Sequence, residues 1–263
     1  MKQILASLSF VVIAGVSHAQ AVSYDLFRDA DVVFLGEVHD NPAHHDNQAQ
    51  AVLAIAPKAV VFEMLVPEQA AKVTSDLLDD AQALEATLGW NDSGWPDFAM
   101  YYPVFAALGD AKIYGAQVPS EAARMAFEGG DMSALLEGAG GKFGLTLPLP
   151  QAQQDAREAL QFSAHCDALP EEMLPGMVMA QRLRDARLAQ EVTEALDATG
   201  GPVAVITGNG HARTDWGAPV LLPKEIASMS SGQLEAEPES EPPYDLWIVT
   251  EAAERDDPCA AFK

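Results

Sequence analysis

Apolar residues in this chain gather in short blocks that end in a polar group. Residues 31–35 (Asp-Val-Val-Phe-Leu), 59–63 (Ala-Val-Val-Phe-Glu), 112–116 (Lys-Ile-Tyr-Gly-Ala), 203–207 (Val-Ala-Val-Ile-Thr) and 245–249 (Asp-Leu-Trp-Ile-Val) each read as a strand, and the first and fourth are rich in β-branched side chains. A weaker block near 219–222 reads as one more short strand. Between the blocks, apolar positions recur every three or four residues over 42–55, 67–85, 151–164 and 171–198, which predicts helices. Asn41-Pro42, Trp95-Pro96-Asp97 and Pro119-Ser120 supply helix starts, and Pro103 predicts a kink. Residues 129–150, rich in Gly, Leu and Pro, read as loop or short helices. Residues 228–243, made largely of Ser, Glu and Pro, read as a mobile acidic loop.

Strands alternating with helices predict an α/β fold with a parallel-rich central sheet and helices on both faces. The helical stretches 67–110 and 151–198 exceed simple crossovers, so a helical cap over the carboxyl edge of the sheet is expected. That edge is where open parallel sheets bind ligands.

Two strand blocks share one ending. The first runs into Gly36-Glu37-Val38-His39 and the fourth into Gly208-Asn209-Gly210-His211. Each glycine is expected to let the backbone turn sharply, so that two distant segments deliver histidines to one edge. With Glu37 and with Glu63 at the end of the second strand, His39 and His211 form a set able to bind a divalent metal ion. The same four residues can also do general acid–base catalysis without a metal. Gln117 and Asn209 also fall at strand ends, and His44 and His45 lie one turn into the helix after Pro42. There is no H-E-x-x-H helix and no G-x-S-x-G elbow.

Charge narrows the partners. The 263 residues carry 39 acidic and 15 basic side chains, a formal charge of −24, which disfavours nucleic acid. Lys2, the apolar run 4–16 and Ser17-His18-Ala19 read as a secretory signal peptide over residues 1–19, followed by one domain over 20–263. The expected location is therefore across the inner membrane, in the periplasm. The expected cleavage region holds no cysteine, so lipid tethering to a membrane is not expected. In an oxidising compartment the two cysteines, Cys166 and Cys259, are expected to pair.

Trp90, Trp95, Phe98, Tyr101, Tyr102 and Phe105 crowd residues 88–106, either as core or as the wall of a flat ligand. Arg124, Arg182, Arg184, Arg187 and Arg213 are scarce cations in so acidic a chain. At this point the motifs Phe34–Asn41, Val61–Met64, Trp90–Pro103, Ala164-His165-Cys166, Ala180–Asp185 and Gly208–Pro219 together resemble, in order, the ChaN-type haem-binding uptake proteins. The resemblance spans about residues 30–223. The wider group also contains Tiki-type metalloproteases and erythromycin esterases.

The resemblance implies a haem-binding protein of uptake or storage, with possible homodimers, partners in the uptake machinery, and haem held between subunits by tyrosine. Tyr101 and Tyr102 are the iron-ligand candidates. His44, His45 and His165 are further candidates near the cofactor, and Arg182 and Arg184 are candidates for its propionates. The alternative implied by the wider group is a hydrolase of esters or amides that uses Glu37, His39, Glu63 and His211.

Overall fold

In the computed structural model, which describes residues 24–257, 259 and 260, six parallel strands form one sheet in the order β3-β2-β4-β1-β5-β6. The signal-peptide segment lies outside the described residues. The strands are β1 (Val32–Glu37), β2 (Ala59–Phe62), β3 (Lys112–Gly115), β4 (Val203–Gly208), β5 (Ser228–Leu234) and β6 (Leu246–Val249). The helices are α1 (Pro42–Ile55), α2 (Pro67–Ala70), α3 (Ser75–Leu78), α4 (Ala81–Leu88), α5 (Phe98–Ala106), α6 (Ser120–Phe127), α7 (Gln151–Ala164), α8 (Leu174–Thr199) and α9 (Asn209–Ala212).

Alternation along the strands builds two cores, because successive side chains point to opposite faces. Val33, Leu35, Val60, Phe62, Ala204 and Ile206 face a core shared with Val52 of α1 and with Tyr101, Val104 and Phe105 of α5. Val32, Phe34, Val61, Val203 and Val205 face Leu183, Leu188 and Val192 of α8. Each such large side chain contributes about 1.5–3 kcal/mol on burial. The first helical block thus lies on one face and α6 and α8 on the other. Trp95, Tyr101 and Arg184 from these blocks reach the carboxyl edge.

The helix expected over 67–85 is three short helices. Asp80 caps the third by accepting from Ala83 N at 3.0 Å, so a new helix starts there. Asn41 caps α1 and Asp97 caps α5, as their sequences predict. Pro103 lies inside α5. Residues 218–221 form a 3-10 turn rather than a strand.

The larger departure is β5. Residues 228–234, expected in a mobile loop, form a strand paired with β1 and β6. Polar side chains can be buried there because the backbone takes up their hydrogen bonds. Ser230 Oγ donates to Ala212 O, and the Gln233 amide donates to Gly36 O at 3.0 Å and His44 O at 2.9 Å. No described helix is long and apolar enough to cross a membrane.

After β6 the chain runs as a strap across the loop behind β1. Arg255 pairs with Asp40 and Glu235, and Asn41 donates to Glu235 at 2.7 Å and to Glu251 O at 3.0 Å. Its end is tied to the corner between α7 and α8 by the expected disulfide, Cys166–Cys259. A cross-link closing a loop of this length is worth about 4–5 kcal/mol in the chain-entropy model, and less where the native geometry is imperfect. Replacing both cysteines by serine is expected to lower unfolding stability by about 2–4 kcal/mol in denaturant titrations. An unchanged midpoint would show that the strap's ion pairs alone hold the tail.

Candidate functional site

The site follows from strand order. β4 inserts between β1 and β2, so the carboxyl ends of these three strands lie side by side with Glu37 level with Gly208. One residue past β2, Glu63 donates its backbone N–H to Ile206 O at 3.0 Å. β4 then turns into α9, which carries His211.

The two glycines of the paired motifs are set by close approach rather than by a turn. A Cβ on Gly208 would lie 2.8 Å from His39 Nε2, and one on Gly36 would lie 2.6 Å from Asn209 Oδ1. Gly208 has an ordinary φ of −63°. Each glycine makes room for a polar side chain delivered by the other motif.

Two acid–base groups result, and Glu63 joins them. In the first, Glu37 Oε1 accepts from His39 Nδ1 at 2.7 Å and from the Tyr101 hydroxyl at 2.7 Å. Glu37 Oε2 is buried without a hydrogen bond, 3.3 Å from His45 Nδ1. The other His45 nitrogen lies 2.9 Å from His39 O. All close partners of His45 are acceptors, so its imidazole favours the protonated form and its pKa rises despite burial. Burial pushes the Glu37 carboxyl up, but His39 and His45 outweigh it and hold it at about 2. Burial opposes charge on His39 too, yet Glu37 and Glu63 raise it to about 9. Trp95 covers the His39 ring at 4.9 Å.

In the second group, His211 stands between two carboxylates. Its Nδ1 lies 2.6 Å from Asp185 Oδ1 and its Nε2 3.5 Å from Glu63 Oε1. Burial works against the charged imidazole, but Glu63 and Asp185 raise its pKa. Glu63 Oε2 accepts from Thr207 Oγ1 at 2.7 Å and from Gly208 N at 2.8 Å. Burial pushes Glu63 up, and His211, His39 and these two donors bring it below its ordinary value. Behind Asp185, Arg157 approaches at 3.9 Å while lying over the Trp216 ring.

The expected residues therefore divide. Glu37, His39, Glu63 and His211 meet at one edge, as acid–base pairs. Among the described residues no group of three or more His, Cys, Asp or Glu side chains is arranged to hold a metal ion. His45 joins the cluster. His44 accepts from Val38 N at 2.9 Å and binds Thr250, and burial lowers it to about 4, so it is a neutral structural group.

Tyr101 belongs to the site as a fully buried donor to Glu37. Burial first and the Glu37 charge second push its pKa up, so it is not a free phenolate. Tyr102 donates to Leu78 O at 3.0 Å, away from Glu37. His165 Nδ1 lies 2.7 Å from Gln161 O at the end of α7 and joins no other site residue. Arg182 is spent on Gly144 O and Leu147 O, at 2.7 and 3.1 Å. Arg184 lines a cavity of about 220 Å3 with Glu63, Trp95, Gln117 and Ser120.

Sequence reasoning placed Asp185 on a helix but gave it no role. The signal was present: Val178, Arg182, Asp185, Ala189 and Val192 recur every three or four residues and share the buried stripe of α8. A carboxylate on such a stripe needs a cationic partner.

The model of the family described as "Haem-binding uptake, Tiki superfamily, ChaN" matches residues 24–222. No curated protein matches. Among solved structures, ChaN of Campylobacter jejuni, described by its cofacial haem binding, superposes with a TM-score of 0.65 at 18% identity, covering 84% of this chain and 88% of that one. The type III effector HopBA1 is more distant, with a TM-score of 0.43 at 13% identity over 84% of this chain and 88% of that one.

The pair of His39 and Glu37 gives stability a defined pH window. His39, raised from 6.5 to about 9, contributes fully below pH 6.5 and loses its contribution as pH rises through about 9. Glu37, lowered from 4.5 to about 2, contributes above pH 4.5 and loses it as pH falls through about 2. The contribution of this pair is therefore expected to be level from pH 4.5 to 6.5 and to decline toward 9. The decline should be shallower in His39→Gln. An NMR titration that places the His39 midpoint below 6.5 would overturn this assignment.

Proposed function

Because the chain belongs to the ChaN haem-binding uptake family of the Tiki superfamily, we propose that it binds haem and carries it during uptake or storage. The observation behind this reading is the family match over most of the described domain.

The strand-end cluster does not fit the porphyrin. Its cavity, about 220 Å3, falls below the roughly 300–1,000 Å3 of small-molecule pockets, and the Tyr101 hydroxyl is committed to Glu37. A better candidate lies at the open edge of the sheet, in a groove of about 410 Å3 between β3 and the α2–α3 segment. Tyr114 lines it. The hydroxyls of Tyr24, Tyr101, Tyr102 and Tyr244 all have protein partners, and among the described residues only the Tyr114 hydroxyl has none.

Lys112, two residues earlier on β3, also lines the groove and offers a positive charge to a propionate. Tyr114 would hold the iron, and a hard phenolate oxygen suits the ferric state. A second copy packed across this edge would cover the exposed face of the ligand, which favours a haem-linked dimer. The signal-peptide reading and the Cys166–Cys259 disulfide support a periplasmic location, where components of the uptake machinery would be the partners.

Micromolar hemin is expected to give a ferric, tyrosinate-type spectrum that Tyr114→Phe abolishes and that Tyr101→Phe and Tyr102→Phe retain. Gel filtration should show a larger species when hemin is added. A Soret band that does not shift on mixing would end the haem reading. A spectrum indifferent to Tyr114→Phe would end only the ligand assignment.

A second reading rests on the Asp185–His211–Glu63 line, which haem carriage leaves without a task. An imidazole oriented by one carboxylate and facing another is a general acid–base arrangement, able to help water attack an ester or amide. Turnover of a nitrophenyl ester that disappears in His211→Ala, with hemin binding intact, would establish it. Equal rates in the two proteins would remove it.

A further inference from the structure

We propose that the cavity in front of Glu63 binds a small carboxylate that carries a hydrogen-bond donor on the neighbouring carbon, such as a hydroxy acid or an amino acid. The first observation is Arg184. Every other arginine meets a carboxylate within 4.0 Å or, for Arg182, two carbonyl oxygens. Arg184 has only Gln181, one turn back on its own helix, at 3.2 Å. In a chain of charge −24, a guanidinium left without a carboxylate beside a cavity is unusual.

The second observation is the rest of the wall. The side chains of Gln117 and Ser120 line the same cavity, and neither makes a hydrogen bond to the protein. Trp95 also lines it, and its indole N–H is buried with no acceptor. Buried donors are almost always satisfied, so the orphaned indole N–H points to an absent acceptor, while the part-buried Gln117 and the exposed Ser120 are polar groups open to a ligand. The wall opposite in charge is Glu63. It lines the cavity with Arg184 yet makes no ion pair with it.

These groups select the ligand. A guanidinium binds a carboxylate through paired N–H donors. The carboxylate of Glu63 repels a second anionic group and attracts a hydroxyl or ammonium. A bare cation is disfavoured by Arg184, a dianion by Glu63, and a porphyrin by the cavity's size. What remains is a molecule with one anionic end and one donor a short distance away.

The inference does not use the haem reading, since Tyr114 and its groove share no residue with this cavity. The test is calorimetric titration of the full chain with L-lactate and L-serine, with acetate as the probe lacking a donor. At least one of the first two is expected to bind, and acetate to bind about tenfold more weakly, the loss of about one charge-assisted hydrogen bond. Arg184→Gln should weaken binding by about tenfold or more. Because Glu63→Gln is liable to disturb the fold, Gln117→Ala is the second variant, and it should weaken binding by a smaller factor. Thermal midpoints should confirm that both variants are folded. No binding of either donor-bearing probe at millimolar concentration, acetate binding equal to lactate, or an Arg184→Gln protein that binds as well as the parent would each overturn the proposal. Hemin titrated into the same samples reads the other groove, so either reading can fail alone.

Discussion

The carboxyl edge of this sheet depends on the burial of Glu63. Removing a carboxylate from water costs several kcal/mol unless its charge is met and its lone pairs are filled. Here Oε2 takes the Thr207 hydroxyl and the Gly208 N–H, and Oε1 faces His211. These donors come from the end of β4, whereas Glu63 follows β2. The two strands must therefore sit in their observed register for the charge to be tolerated. Strand order, the path of the chain into α9 and the position of His211 are thus tied to one charged group.

The same constraint explains the glycines. The edge holds three carboxylates and three histidines in alternation, and little space is left between β1 and β4. Gly208 gives its Cβ space to the His39 ring, and Gly36 gives its own to Asn209, whose side chain in turn receives Gln233 N at 2.9 Å and donates to Gln233 O. Packing here is an exchange of small residues for polar ones, which fixes the histidines more firmly than a loop would. Two cavities remain beside the strand-end cluster and the edge strand. One is the small polar cavity between Glu63 and Arg184. The other is the groove beside Tyr114 on the edge strand β3, which pairs with β2 on one side only.

How much was legible in the sequence follows from how local each signal is. A strand announces itself by a short apolar run and a helix start by Asn-Pro or Pro-Ser, and these put β1, β2, β3, β4, α1 and the start of α6 nearly where they lie. The run 228–234 carried no such signal. Ser230 and Gln233 are buried there with hydrogen-bond partners that α9, β1 and α1 supply, most of them far away in sequence. The split of the helical stretch after Pro67 depended on Asp80 acting as a cap inside a pattern that otherwise looked continuous.

By itself, the sequence determined that Glu37, His39, Glu63 and His211 stand at strand ends, because period and punctuation are properties of neighbouring residues. Only the tertiary structure decided which of them pair. The insertion of β4 between β1 and β2 put Glu63 against His211, and the docking of α8 brought in Asp185. The packing of α5 buried Tyr101 on Glu37. Those outcomes rest on charge and hydrogen-bond satisfaction between segments up to about two hundred residues apart, and no local pattern encodes who meets whom across that distance.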